Sequence, residues 1–271
     1  MYQSIILEID NNVGILTLNR PERHNALDKT LVVEMTSGLL ELEADPRVRV
    51  VVLSSMGKNF CAGIDPAWMR QSIDATNEEN LQNYQSQARL LTTLSRLSKP
   101  TIARVRGSTR GLGVGVVAAC DTVFATYDSS FVLNEVKYGL LSAIACPYIL
   151  AAVGERYCRY YMLTAESFSG TEAYRIGLVH EMVPDEEQLD EVIGETIDRL
   201  MKNGMVAMDS CKALIRAIVN QPIDETVLQK TVQSAVATQA SAEGLEGMKA
   251  LVEKRKPLWD PSLSRSAKVV R

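Results

Sequence analysis

Short apolar runs and longer helical patterns alternate along the first part of the chain. Residues 5–9 and 13–18 are two such runs on either side of a turn, which predicts a β-hairpin. Apolar residues recur at helical spacing over residues 31–42, and Asp28 stands where the N-cap of that helix would be. The chain therefore opens with a hairpin followed by an amphipathic helix.

Three further apolar runs have the length of strands that are covered on both faces. They comprise residues 48–54, 101–105 and 122–125, and a largely polar helical segment at 66–98 separates the first two. Another short extended piece, residues 131–136, carries a glutamate. The alternation of strand and helix favours an α/β fold with a largely parallel sheet.

From about residue 147 the pattern becomes mostly helical, with one further strand candidate at residues 178–184. The predicted helices comprise residues 148–153, 156–164, 170–176, 187–203, 207–219 and 223–254. No low-complexity linker or internal repeat interrupts this order. We predict a core domain at residues 1–200 and a helical C-terminal region at residues 201–271.

A glycine-rich turn follows the strand at residues 101–105. Four glycines fall between residues 107 and 115, before a run of small residues that predicts a buried helix. The first amides of a helix lack intrahelical partners and lie at the positive end of its dipole, so this turn could hold a developing negative charge. Close helix packing alone would also explain the glycines. Residues 57–65 form a second small-residue turn where amides could face a ligand.

Composition narrows the class of protein without identifying the reaction. Acidic and basic residues nearly balance, 33 against 29, which gives no sign of a nucleic-acid surface. No apolar run is long enough to span a membrane, and the first ten residues lack a signal-peptide pattern. We therefore expect a cytoplasmic protein that binds neither nucleic acid nor membrane.

The five cysteines have no CxxC spacing, and they are predicted to be buried free thiols of a reducing compartment. His24 and His180 lie far apart in sequence, which weakens a metal site or a Ser/His arrangement. A basic cluster at residues 253–256 ends the last predicted helix. It is either a solvated helix end or a phosphate site. No metal is predicted.

In the order and spacing of several motifs, the chain resembles the crotonases, the enoyl-CoA hydratase/isomerase family. The matching segments are residues 18–27, 60–65, 99–102, the glycine turn with 118–121, 134–139, 163–165, 173–179 and 253–257. The resemblance implies a spiral of ββα units with a helical C-terminal trimerisation region. It also implies a homotrimer or homohexamer that acts on a small-molecule acyl-CoA, with coenzyme A as part of the substrate and no prosthetic group.

The same resemblance implies site residues. The backbone amides of Ile64 and Leu112 would hold the thioester oxygen, and Glu135 would be the acid/base carboxylate. Coenzyme A would lie along residues that come from both ends of the chain: Arg23, Asn25, Ala26, Ala62, Gly63, Asp65, Lys254 and Lys256. The reading of Glu135 that involves no catalysis is a salt bridge to Lys137 or Arg104.

One position departs from the family pattern. Hydratases of the family carry a second glutamate four residues after Gly111, where this chain has Gly115. Glycine has no side chain with which to hold water. Either Glu135 acts alone, as in family isomerases with a single glutamate, or a substrate group or another side chain assists it.

A narrower resemblance joins the chain to bacterial methylglutaconyl-CoA and isohexenylglutaconyl-CoA hydratase-like members, which also place glycine at this position. It rests on residues 113–121, 131–141, 146–148, 154–156 and 161–168. It implies a branched or carboxylated acyl chain. Arg110 could then pair with a substrate carboxylate, or it could form an ion pair between subunits.

Three functions remain open on the sequence. The first is hydration of a 2-enoyl-CoA through an oxyanion hole and a single glutamate. The acyl chain of this substrate could be branched or carboxylated. The second is isomerisation of an enoyl-CoA double bond, which requires Glu135 but no activated water. The third is a non-catalytic oligomer that binds CoA thioesters, which the glycine at position 115 would favour.

Overall fold

The computed structural model describes residues 2–262. The strands are β1 (Ile5–Asp10), β2 (Val13–Leu18), β3 (Val50–Ser55), β4 (Thr101–Val105), β5 (Ser108–Arg110), β6 (Thr122–Thr126), β7 (Ser130–Val132), β8 (Phe168–Ser169) and β9 (Glu181–Val183). The helices are α1 (Lys29–Ala44), α2 (Pro66–Asp74), α3 (Asn77–Arg96), α4 (Leu112–Ala118), α5 (Cys146–Thr164), α6 (Gly170–Arg175), α7 (Glu186–Met201), α8 (Met205–Ile218), α9 (Glu225–Ala240) and α10 (Ala242–Val252).

Six strands form one sheet in the order β1-β2-β3-β4-β6-β9. The hairpin of β1 and β2 is antiparallel, and every later pairing in this sheet is parallel. The predicted α/β class and the predicted hairpin are confirmed. Helices between consecutive parallel strands return the chain to the same end of the sheet.

A second sheet of three strands, β5-β7-β8, was not predicted. The glycine turn was expected to lead directly from strand to helix, and that expectation is wrong because β5 lies within the turn. β5 runs parallel to β7, with Arg110 opposite Val132. A strand of three residues is too short to show a period in the sequence.

The hydrophobic core forms where α1 and α3 pack beside the six-stranded sheet. Leu31, Met35, Leu39 and Leu42 are fully buried and lie on one face of α1. The carboxylate of Asp28 accepts a hydrogen bond from the Leu31 amide, as its predicted capping role requires. Each buried leucine contributes about 1.5–3 kcal/mol to folding.

Contacts divide the chain into two units. The first comprises residues 1–97 and 101–194, and the second comprises residues 98–100 and 195–271. The observed division therefore falls within α7, whereas the predicted boundary was residue 200. In the second unit, the predicted helix at 223–254 is two helices, because the hydroxyl of Ser241 accepts a bond from the Gly244 amide and starts α10.

Two sequence expectations concern other properties of the described residues. The five cysteines are free, but Cys211 is exposed and Cys146 is partly exposed, so the prediction of uniformly buried thiols is wrong. Cys211 lies on α8, in the mostly exposed helical unit. No helix within residues 2–262 has the length and apolar character needed to cross a membrane.

The loop before α1 depends on one buried asparagine. Asn25 has a positive φ of 54°, a conformation that asparagine tolerates better than most residues. Its side-chain oxygen accepts from the Arg20 amide at 2.9 Å, and its Nδ2 donates to the carbonyls of Met56 and Asn59 at 2.8 and 2.9 Å. The Asn25 side chain therefore joins the loop to the segment that follows β3.

We expect Asn25→Ala to lower the free energy of unfolding by about 2–4 kcal/mol, because three buried hydrogen bonds are lost. Urea denaturation measures the change. Asn11→Ala is the control, since Asn11 also has a positive φ but is exposed and its side chain bonds only to neighbouring Asp10. Equal losses in the two variants would show that backbone conformation, and not the buried bonds, sets the cost.

Candidate active site

Strand β5 joins the two small-residue turns. On one side, the Cys61 amide donates to the Ser108 carbonyl at 3.3 Å, and the Arg110 amide donates to the Cys61 carbonyl at 2.9 Å. Gly63 then passes so close to β5 that an added Cβ would lie 3.1 Å from the Arg110 carbonyl oxygen. The turn at residues 57–65 and the glycine turn are thus adjacent, as their predicted shared role requires.

On its other side, β5 pairs with β7. The Gly111 amide donates to the Val132 carbonyl at 2.9 Å, which fixes the end of β5 against the strand that leads to Glu135. Glu135 is the first residue of a 3-10 helix, Glu135–Tyr138, and not part of an extended segment as the sequence predicted. A single short strand therefore sets the positions of Gly63, Gly111 and Glu135.

Two backbone amides at this junction have no hydrogen-bond acceptor within the described residues. Leu112 is the first residue of α4, so its amide has no intrahelical partner. The amide of Ile64 is also free, although its neighbours Gly63 and Asp65 both bond to Leu27. The arrangement supplies two donors at the positive end of a helix, which suits an oxygen that acquires negative charge.

The carboxylate of Glu135 lies beside these donors. Its Oε2 accepts a hydrogen bond from the Ser142 hydroxyl at 2.5 Å. A Cβ added to Gly111 would clash with its Oε1, and Gly111 has a φ of 49°. Two features favour glycine at position 111: the positive φ of its backbone and the close approach of the carboxylate.

The predicted alternative role for Glu135, a salt bridge, is wrong. Arg104 instead pairs with Asp190 and Glu186, and none of the described basic side chains forms an ion pair with Glu135. Within the described part of the chain, the Ser142 hydroxyl is therefore the hydrogen-bond partner of this carboxylate at Oε2, and Oε1 has none. Such a group is available for proton transfer.

Ile64, Leu112 and Glu135 line one cavity of about 480 Å³. The helices α2 and α3 and the segment 138–145 form the remaining wall. Those other lining residues are Trp68, Met69, Ser72, Ile73, Asn80, Asn83, Tyr84, Gln87, Tyr138, Leu140, Leu141, Ser142, Ala143, Ile144 and Ala145. Apart from Glu135, every lining residue is uncharged, so the cavity suits a neutral acyl group.

There is no room for a side chain at Gly115. A Cβ at this position would lie 2.7 Å from the Cβ of Ala145 and 3.1 Å from Cδ1 of Leu91. Both neighbours are almost fully buried. The volume that the second hydratase glutamate would occupy is filled by α3 and by the residue that precedes α5.

Cys61 is a nucleophilic side chain within the turn at residues 57–65. It is fully buried, and burial raises the pKa of its thiol to about 12. The thiolate, which is the reactive form, is therefore negligible at neutral pH. A Cβ on Gly113 would lie 2.9 Å from the Cys61 sulfur, so the thiol fills the space beside α4.

Several residues expected along coenzyme A have structural roles here. Ala26 is buried, and the Arg20 guanidinium donates to its carbonyl at 2.6 Å. Asp65 is 3% exposed, accepts from the Ala67 amide at 2.8 Å to cap α2, and also pairs with Arg20. Arg20, which the sequence analysis did not select, thus connects the loop to α2.

The basic candidates for the phosphates of coenzyme A lie apart in the chain. Arg23 is exposed at the end of a 3-10 helix, Pro21–Arg23, in the first unit. Lys254 and Lys256 are exposed in the second unit, where Lys256 donates to Ser262 at 2.7 Å. Ala62 and Gly63 lie in the turn that leads to Ile64. Their roles toward coenzyme A stay predictions.

Arg110 does not line the cavity that contains Glu135. Its Nε donates to the Ser108 hydroxyl at 3.2 Å, and it borders a separate recess with His24, Asn59 and Ala62. The strand register explains this, since Thr109 is buried and the side chain of the next residue points to the opposite face of β5. The predicted pairing of Arg110 with a substrate carboxylate in the cavity of Glu135 has no support from this position.

Ser142 and Gln87 are polar residues of the cavity that sequence reasoning missed. Ser142 follows the motif at 134–139 by only three residues, yet nothing in its local sequence indicates contact with Glu135. Gln87 belongs to a helix whose apolar face is clear from the leucines at 90, 91 and 94. A buried glutamine on that face was the available signal. Within residues 2–262, no cluster of metal-ligating side chains is present.

Comparisons with known proteins show the family to which the chain is similar. The family model described as enoyl-CoA hydratase/isomerase matches residues 8–262. A crotonyl-CoA hydratase from Syntrophomonas wolfei is 30% identical, with 94% of this chain and 97% of the relative covered. A hydroxycinnamoyl-CoA hydratase-lyase from Pseudomonas fluorescens is 34% identical, with 78% of this chain and 77% of the relative covered.

The crystal structure of an enoyl-CoA hydratase from Shewanella pealeana has a TM-score of 0.92 and 33% identity, with 95% of this chain and 96% of that chain covered. The fold is thus the crotonase fold. The chain belongs to the enoyl-CoA hydratase/isomerase family.

We expect Gly115→Ala to lower the free energy of unfolding by about 1–3 kcal/mol, because its Cβ would overlap Ala145. Adding Ala145→Gly should recover part of that loss, as a double-mutant cycle in thermal or urea unfolding would show. Gly194→Ala is the control, since this glycine lies in α7 with open space around it. That change should raise stability by up to about 1 kcal/mol. An unchanged stability for Gly115→Ala would contradict the filled volume described above.

Proposed function

We propose that the protein adds water to the double bond of a 2-enoyl-CoA with Glu135 as its sole acid/base carboxylate. The observation that supports this most is that Ile64 and Leu112, whose amides have no acceptor within the described residues, line one cavity with Glu135. The family membership supports the CoA thioester as the substrate class. The relatives that are named hydratases support the addition of water as the reaction.

The reaction follows from the position of these groups. The oxygen of a water molecule bonds to C3 of the enoyl group, and the proton it loses goes to Glu135. The π electrons move to the thioester oxygen, where two amide donors stabilise the enolate by about 3–4 kcal/mol each. Glu135 then delivers the proton to C2, and the carbonyl is restored. One carboxylate thus completes the addition of H and OH.

The acyl group of the substrate is uncharged in this proposal. No arginine, lysine or histidine lines the cavity among the described residues, so a substrate carboxylate would be buried without a counter-ion there. The apolar side chains of Trp68, Leu141 and Ile144 suit a short or branched hydrocarbon chain instead. The narrower resemblance to methylglutaconyl-CoA hydratases remains a prediction, and the position of Arg110 does not support its carboxylate.

Isomerisation of an enoyl-CoA is the second candidate, favoured by the glycine at position 115. An isomerase needs Glu135 to move one proton between C2 and C4 but needs no water. Absorbance distinguishes the reactions, because hydration removes the conjugated enoyl thioester and isomerisation of a 3-enoyl-CoA creates it. Formation of the conjugated band without its removal from crotonyl-CoA would favour the isomerase.

We also propose that the protein forms a homotrimer or a homohexamer. The helical unit exposes large apolar side chains, among them Ile223, Val232, Val236 and Leu251. Exposed apolar groups on several helices are typical of a surface that another chain covers. A second copy of this chain would cover them, which light scattering of the purified protein can measure.

Glu135→Gln should lower kcat on crotonyl-CoA by at least about a thousandfold while KM changes little, because the amide cannot accept the proton from water. Loss of conjugated enoyl absorbance measures the rate. Glu8→Gln removes an exposed carboxylate on β1 and should leave kcat unchanged. Activity of Glu135→Gln within tenfold of the native protein would contradict the role of Glu135. Thioester binding without turnover by either protein would favour the non-catalytic oligomer.

Ser142→Ala should lower kcat by about ten- to a hundredfold, because a hydrogen bond to a charged group is worth about 1.5–3 kcal/mol and this one orients the carboxylate. Ser72→Ala is a matched control in the same cavity, since the Ser72 hydroxyl donates to the Trp68 carbonyl and not to Glu135. Its kcat should stay within twofold. Equal effects of both substitutions would show that Ser142 does not position Glu135.

A further inference from the structure

The carboxamide of Gln87 is a buried polar group that the chemistry described above does not use. Gln87 lies on α3, is 7% exposed, and lines the cavity that contains Glu135. Within the described part of the chain, its carboxamide has no hydrogen-bond partner. A carboxamide that lines a cavity without a protein partner has its donors and its acceptor available to a molecule in that cavity.

The face of α3 that contains Gln87 extends from the cavity to Gly115. Asn80, Asn83 and Tyr84 line the cavity one and two turns earlier at helical spacing. Leu91, one turn after Gln87, is the residue whose Cδ1 approaches Gly115. Gln87 is therefore the last polar side chain of this face before the position where a second glutamate is missing.

Ala145 is a second residue that connects the cavity containing Gln87 with the surroundings of Gly115. It lines the cavity with Gln87, and its Cβ fills the space next to Gly115. It also follows Ser142, the hydrogen-bond partner of Glu135, by three residues. The Gln87 carboxamide and the Glu135 carboxylate thus line the same cavity, which also reaches Ala145, the neighbour of Gly115.

Asn80 is the nearest alternative on this helix. Its Nδ2 already donates to the Ser72 carbonyl at 3.0 Å, so it stabilises the junction of α2 and α3. Asn83 lies one turn farther than Gln87 from Leu91. Neither asparagine combines an unpaired carboxamide with a position one turn from Leu91, the residue of α3 that approaches Gly115.

We propose that Gln87 holds the attacking water against C3 of the enoyl group, in the place of the missing glutamate. This inference rests on the proposed hydration. The carboxamide oxygen accepts one hydrogen of the water, while the other hydrogen is directed to Glu135, which takes the proton. Gln87 remains neutral throughout and transfers no proton. It is thus a water-positioning residue, and its role differs from that of a second acid/base.

The test compares two reactions of the same site. Hydration of crotonyl-CoA requires water at C3, whereas exchange of the C2 protons of butyryl-CoA in D2O requires only the amides and Glu135. Gln87→Leu should lower kcat for hydration by about ten- to a hundredfold and leave the exchange rate, followed by proton NMR, within twofold. Gln87→Met provides a second apolar variant of similar length should leucine impair folding.

Gln85→Leu is the matched control, because Gln85 is exposed on α3 and borders a different recess. It should change neither rate. Equal loss of both reactions in the folded Gln87 variants, or no loss of either, would overturn the role of Gln87. If the native protein itself does not hydrate crotonyl-CoA but exchanges C2 protons, the proposed hydration fails instead, so the two failures are distinguishable.

Discussion

The pairing of one three-residue strand on both of its edges determines this site. Strand β5 bonds to Cys61 on one side and pairs with β7 on the other. These hydrogen bonds bring together Ile64, Leu112 and Glu135, which are distant in sequence. The free amides and the carboxylate come from three separate segments, so loss of the strand pairing would separate all three at once.

Glycine makes this close packing possible at two positions for different reasons. Gly111 has a positive φ and leaves room for the carboxylate of Glu135. Gly115 lies in a regular helix and leaves room for Ala145 and Leu91. The first glycine lets the carboxylate of Glu135, the proposed acid/base group, approach the amides. The second leaves apolar packing where the family resemblance implies a second glutamate. The proposed site therefore has a single carboxylate.

The sequence predicted the fold class well because buried strands and amphipathic helices have clear periods. Asp28 and the hairpin were predicted from local patterns alone. The role of Ile64 and Leu112 came from the family resemblance, since a backbone donor leaves no mark in side-chain identity. Arg110 was selected for its charge next to the helix start, but the alternation of β5 directs it to another recess. Ser142 was missed because nothing in its local sequence indicates its contact with Glu135, whereas a glutamine on the apolar face of α3 was a signal that could have indicated Gln87.

The most direct test of the central claim is a crystal structure with a bound 2-enoyl-CoA, prepared with Glu135→Gln to prevent turnover. The account predicts a thioester oxygen within about 3 Å of the amide nitrogens of Ile64 and Leu112, with the side chain at position 135 facing C2 and C3. A thioester oxygen bound away from these two amides, or an acyl chain outside the cavity, would contradict it.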